Sequence, residues 1–225
     1  MFAGHVGAAL ALGRFERRLN VGWLVSAALL PDLTLWVLVL LGVEAVTIPA
    51  SFAHDHQAAF VFPYSHGLLA GLGWALLAAA LALAYRTRVP RLRRRAALLL
   101  GLAVFSHWLL DALVHRPELP LAGRDSPGLG LGLWDHMPLA LAIEAVLLVA
   151  GLVLFARGSA LLRRRLVPLS VLSLALLALT VAGMTVAPPP PSALAMAASS
   201  LGTLIVVCGL YGWLGRAPEP TAWHH

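Results

Sequence analysis

Three ionisable residues, His107, Asp111 and His115, stand four apart inside the otherwise apolar run FSHWLLDALVHRPELP. Positions i and i+4 share one face of a helix, so the three side chains project the same way, one turn apart. Imidazole and carboxylate at that spacing can bind one metal ion or bridge two. A polar stripe packing helices together, or a proton relay, would use the same residues. Similar candidates recur elsewhere: His5 in FAGHVG, Asp32 behind a proline in LLPDL, His66 in PYSHGLL, His136 in LWDHMP, and Glu144 with no charged neighbour.

This set is selective in type. The basic residues are sixteen arginines and no lysine, and none falls within an apolar run. Several carboxylates placed among apolar residues need a positive charge, and a divalent metal would supply it. His5, Asp32, His66, His107, Asp111, His115 and Glu144 are the candidate ligands. Asp32, Asp111 and Glu144 are the candidate catalytic groups, and Asp111 is the best bridge because His107 and His115 flank it by one turn each. Arg116 and His136 are candidates for substrate contact, Arg116 because a guanidinium suits an anionic group. Each is equally open to a role at the membrane interface. The triplet His54, Asp55, His56 reads as a solvated outer loop.

The elements that must position these residues are membrane spans. The chain has 225 residues, 60% hydrophobic and 12% charged, with a mean hydropathy of +0.86. A soluble domain does not need that much apolar surface, and several runs reach the ~20 residues that cross a bilayer core. Six spans are expected, near 21–43, 62–85, 96–114, 133–155, 166–186 and 192–214, the last two separated by Pro188–Pro191. One integral membrane domain over 1–216 is expected, with a tail at 217–225. Its motif-bearing part is 1–157, and 166–214 carries accessory spans. The formal net charge of +6 does not point to nucleic acid, because the arginines sit in short clusters between the runs. Cys208 alone allows neither an intrachain disulfide nor a multi-cysteine metal site.

Fourteen arginines fall on one side of this topology, and only Arg116 and Arg124 on the other. The positive-inside rule then puts both termini in the cytoplasm. Met1–Gly13 lacks the positive start and the small-residue cleavage site of a secretory signal. It is too short to span, so it either lies on the membrane surface or enters as a half-helix. At a rise of ~1.5 Å per residue, a half-helix lifts His5 roughly 13 Å above Arg14. Asp32, His107 and Glu144 reach roughly 18–20 Å from their own interfacial residues by the same rise. Residues from four segments thus converge on similar depths, with Asp111, His115 and His66 higher.

The run H…LLPD…PYSHGLL…SHWLLDALVHRPELP…GLGLW…E resembles the bacterial and archaeal membrane-bound metal-dependent hydrolases, the group that includes a LexA-regulated inner-membrane hydrolase. The likeness covers Met1 to about Arg157. It implies His5, Asp32, His66, His107 and Asp111 as metal ligands. Their order is also similar to that of the zinc-dependent phospholipase C and nuclease P1 fold, an all-helical trinuclear scaffold. That pattern adds a further histidine and a His…Glu pair, here His115 with His136 and Glu144, although these last two depart from a one-turn spacing. Thr34 stands where many family members carry a second acid.

The expectation is an all-α polytopic membrane protein, about six spans plus an N-terminal half-helix, in a bacterial or archaeal inner membrane. Its expected activity is hydrolysis of an amphipathic substrate, a phospholipid or other lipid phosphoester, by water activated on one to three zinc or other divalent ions. The alternatives are a metal or proton transporter using the same cluster, and a structural membrane protein whose polar stripe is packing.

Overall fold

The computed structural model describes residues 1–85 and 89–216. Arg86 and Arg88, and the tail at 217–225, lie outside them. The described chain is mostly helical. Four helices are long and apolar enough to cross a membrane: α6 (Pro90–Val114), the helical run Leu133–Gly158, α8 (Arg163–Thr185) and α9 (Ala193–Leu214). Within the second of these, a 3-10 turn (Leu133–His136) leads into α7 (Met137–Gly158). A fifth crossing is made if α2 (Val21–Ala28) and α3 (Leu30–Leu40), bent by 49° at their junction, count as one span. This is the pattern of a multi-pass membrane protein. Outward-facing residues such as Leu76, Val146 and Ile205 are more than half exposed. So wide an apolar surface suits lipid rather than water.

The described helices fall short of six full spans. α5 (Leu68–Ala84) has 17 residues and starts at Leu68 instead of Phe62. The residues before it, Pro63 to Gly67, form a turn instead, and that turn carries His66. At the other ends, α6 and α8 run further into the arginine clusters than hydropathy alone implies, taking in Arg91 and Arg163.

The bend at α2–α3 has a local cause. Pro31 lacks a backbone N–H, and the chain leaves helical geometry at Leu29 (φ −96°, ψ 3°). Asn20 caps α2 by accepting from the Gly22 N–H at 2.9 Å, and its amide donates to the Gly212 carbonyl at 2.8 Å, tying α2 to α9.

α1 (Phe2–Gly13) is not a surface helix. Ala3, Val6, Ala9 and Leu10 are fully buried, and α1 packs against α2, α6 and α7. Its closest approach is to α7, where a Cβ on Gly151 would fall on the Gly7 carbonyl. Only glycine permits that approach, a small-residue contact of the kind that brings membrane helices together.

Two short hairpins cap the bundle. β1 (Ala45–Thr47) pairs antiparallel with β2 (Ala59–Val61), enclosing the short helix α4 (Phe52–Asp55). β3 (Leu119–Pro120) pairs with β4 (Gly128–Leu129) beyond the end of α6.

Candidate metal centre

Five of the expected ligands meet in the core. His5 comes from α1, Asp32 from the first turn of α3, His66 from the turn before α5, and His107 and Asp111 from α6. His5, His66, His107 and Asp111 are each at most 4% exposed. Asp32 is the open member, its side chain 23% exposed. Two groups have ligand atoms all within 4.8 Å of one another: His5 with Asp32 and His107, and His66 with His107 and Asp111.

Asp111 is the hub. Its Oδ1 lies 3.1 Å from His5 Nε2 and 3.2 Å from the Met1 amino nitrogen. Its Oδ2 lies 3.0 Å from His107 Nε2, 3.5 Å from His66 Nε2 and 3.9 Å from His115 Nε2. Asp32 Oδ1 lies 3.4 Å from His66 Nε2 and 3.7 Å from His107 Nε2. The His5 and His107 rings stack at 3.7 Å.

The surroundings fix where the imidazole protons sit. His107 Nδ1 is 2.7 Å from the Ala28 carbonyl, which can only accept, so Nδ1 carries the proton. Ser65 Oγ donates to Glu44 Oε2 at 2.7 Å, and so accepts from His66 Nδ1 at 2.8 Å. In the neutral rings, both Nε2 atoms are then bare, yet they lie 3.1 Å apart. Two lone pairs at that distance, beside two carboxylates, require a cation or a proton between them. This is the arrangement in which an outer acceptor orients a histidine toward a metal. His5 Nδ1, buried and without a hydrogen-bond partner, is one more donor atom with nothing to bind.

The sequence reading missed parts of this arrangement. It counted no cation within the bundle, whereas the Met1 amino group pairs with Asp111. One ammonium still faces three carboxyl groups, those of Asp111, Asp32 and Glu144. The reading also passed over Glu44, 3% exposed, which accepts from the Tyr64 and Ser65 N–H groups at 2.8 and 3.0 Å and so shapes the His66 turn. It passed over Glu118 too, whose Oε1 is 2.6 Å from His115 Nδ1. Glu44 had one faint signal, an acid directly after an apolar run. Glu118 had its place three residues after His115.

The remaining candidates fall at the edge or outside. His115 is buried, with Nε2 turned toward Asp111 and Nδ1 held by Glu118. Glu144 is buried, and its Oε2 accepts from the Gly4 N–H at 3.2 Å, anchoring the start of α1 rather than joining the close ligand groups. Arg116 is half-exposed and bound to Asp135, with Nη2 at 2.7 Å and Nε at 2.9 Å from Oδ1. That hydrogen bond raises its guanidinium above the ordinary value. It lines a second cleft with His54 and Asp55, which adjoins the cavity that reaches Asp111 and shares His56, Gln57, Trp134 and Met184 with it. His136 is exposed and lines neither.

A cavity of about 490 Å³ opens onto the centre and is lined by Asp32, His66, Asp111, His115 and Glu144 at its polar end. That size is in the range of small-molecule sites. Compared with family models, with curated proteins and with solved structures, the chain matches none of them.

Proposed function

We propose that the protein is a membrane-embedded metal-dependent hydrolase, with zinc as its ion and a phospholipid or other lipid phosphoester as its substrate. The observation that carries this reading is the meeting of two bare imidazole nitrogens, His66 Nε2 and His107 Nε2, at 3.1 Å beside Asp32 and Asp111. Imidazole with carboxylate is a zinc ligand set, with manganese and iron as neighbours in preference. His5, Asp32, His66, His107 and Asp111 would hold one or two ions. A bound divalent ion supplies a water of lowered pKa and a Lewis acid for a phosphoryl oxygen.

The chain's own residues do the rest. Asp111 lies between His5 and His107 and sets the spacing of the ligands. Asp32, the most open carboxylate, is placed to take a proton from water arriving through the cavity. His115, steadied by Glu118, faces that cavity and can return a proton to the departing oxygen. Glu144 holds α1, and therefore His5, in register.

The arginine asymmetry supports a cytoplasmic location for Arg14 at the end of α1 and for the C-terminal end of α9, with the centre in the outer half of the bilayer of a bacterial or archaeal inner membrane. The Met1 amino group, paired with Asp111, is then inside the bundle and not in the cytoplasm as the arginine count alone implies. Transport is the weaker reading. One to two turns toward the arginine-rich ends, Leu10, Leu24, Val104 and Leu148 are fully buried and apolar.

The test is metal analysis of the purified protein beside an assay on phosphatidic acid and phospholipids. About one or more ions per chain, lost in His107→Ala and Asp111→Ala together with turnover, is the expected result. Substoichiometric metal unaffected by either variant would sink the proposal.

A further inference from the structure

The cavity has a second end that the metal centre does not explain. Away from Asp32 and Asp111 its walls are Leu179, Gly183 and Met184 of α8, and Met196, Thr203 and Leu204 of α9. Three of the four lining hydroxyls, all but that of Ser200, are bonded within their own helix. Thr180 Oγ1 donates to the Leu176 carbonyl at 3.0 Å, and Thr203 Oγ1 to the Ser199 carbonyl at 2.9 Å, each within its own helix. The wall is thus largely apolar, with unbranched methionines that adapt to a flexible occupant. One continuous space therefore joins a ligand cluster suited to an anionic head with an apolar channel suited to a hydrocarbon tail.

We infer that the cleft between α8 and α9 is the acyl-chain site of the lipid substrate, and that Gly183 sets how much chain it admits. The inference rests on the hydrolase reading for the identity of the head group. It gives the last two helices, which carry no histidine or carboxylate within their apolar spans, a role in substrate selection. Gly183 faces open space: a Cβ there would meet no atom within 4 Å. Gly183 lines the cavity, so a larger side chain fits at its mouth without disturbing the backbone. Replacing glycine inside a helix also removes a helix-weakening residue, so the variant is expected to fold.

The experiment uses the full chain in phosphatidylcholine vesicles doped with a monoacylglycerol phosphate bearing a diazirine at its chain end. After irradiation, mass spectrometry locates the labelled residues. Label is expected to concentrate on the facing residues of α8 and α9. Gly183→Leu should lower it about tenfold, since leucine takes the space of two or more chain carbons. Gly209→Leu, on α9 with open space around it but outside the cavity, should leave it unchanged. Label spread evenly over lipid-facing residues such as Leu76 and Val146, with Gly183→Leu indistinguishable from the parent, overturns the inference. Metal content measured on the same samples separates the two ideas. Metal without cleft labelling removes the acyl site alone, whereas cleft labelling without metal removes the hydrolase reading and leaves the acyl site standing.

Discussion

His66 depends on a chain of contacts two residues deep. Glu44 takes the Ser65 hydroxyl proton, which turns the Ser65 oxygen into an acceptor for His66 Nδ1 and frees Nε2 for a ligand. Ser65→Ala removes that acceptor while leaving every direct ligand in place. The expected outcome is a metal affinity about 10–100-fold weaker, the usual effect of losing an outer partner of a ligating histidine, measured by competition with a chelating dye. An unchanged affinity would mean that His66 is not a ligand. His5, Asp32, His66, His107 and Asp111 were all legible in the sequence, because an ionisable side chain in an apolar run is costly unless it has work to do. Glu44 was not, since it follows its span and looks like any loop acid until the hairpin folds it back over the turn. The distance of Arg116 and His136 from the centre was equally illegible. Both stand beside motif residues in sequence, but Arg116 is paired with Asp135 in the adjoining cleft and His136 lines neither space.

Helix α1 shows what an element contributes beyond its residues. It was readable as an apolar segment too short to span, but its burial was not, because that depends on glycines 144 residues apart in sequence. Gly7 and Gly151 let the α1 and α7 backbones touch, which puts His5 beside Asp111. Gly151→Leu would push the two helices apart. It is expected to cost about 1–3 kcal/mol or more as overpacking, seen as earlier thermal aggregation by size-exclusion chromatography. It should also lower bound metal, although residue 151 touches no ligand. Full metal content in a folded Gly151→Leu protein would detach α1 from the centre. The short α5 has a parallel explanation: hydropathy ran on through Phe62, but Pro63 and the Glu44-bound turn claim the residues before Leu68.

On the proposed reading, the stability of the whole molecule is coupled to a bound ion. Ligands that join four separate segments stabilise only the folded state, by about 2.7 kcal/mol when free metal is one hundred times Kd. Chelation should therefore lower the melting temperature of the parent protein, and should have little effect on Asp111→Ala, whose melting temperature starts lower. Equal responses in the two would argue against a structural ion. Topology is testable at the same scale. In a Cys208→Ser background, cysteine at Ser126 should react with an impermeant maleimide added outside intact cells, and cysteine at Ser159 only after lysis. The reverse pattern would invert the arginine assignment. Span number was the least legible global property, because a broken pair and a short helix look like ordinary spans to a hydropathy average.

The contact between Gly4 and Glu144 bridges 140 positions of sequence. At roughly 5–20 residues per second of synthesis, α1 leaves the ribosome roughly 7–30 s before the helix that will hold it. During that interval the nascent chain carries an unpaired apolar segment, with His5 exposed to whatever surrounds it. The centre cannot close until α7 has been inserted. A chain interrupted after α6 would hold every histidine and aspartate of the cluster and still lack the partner that seats the first of them. On the metal-centre proposal, acquisition of an ion is an event of late assembly, and an unfinished chain should be metal-poor and open to quality control.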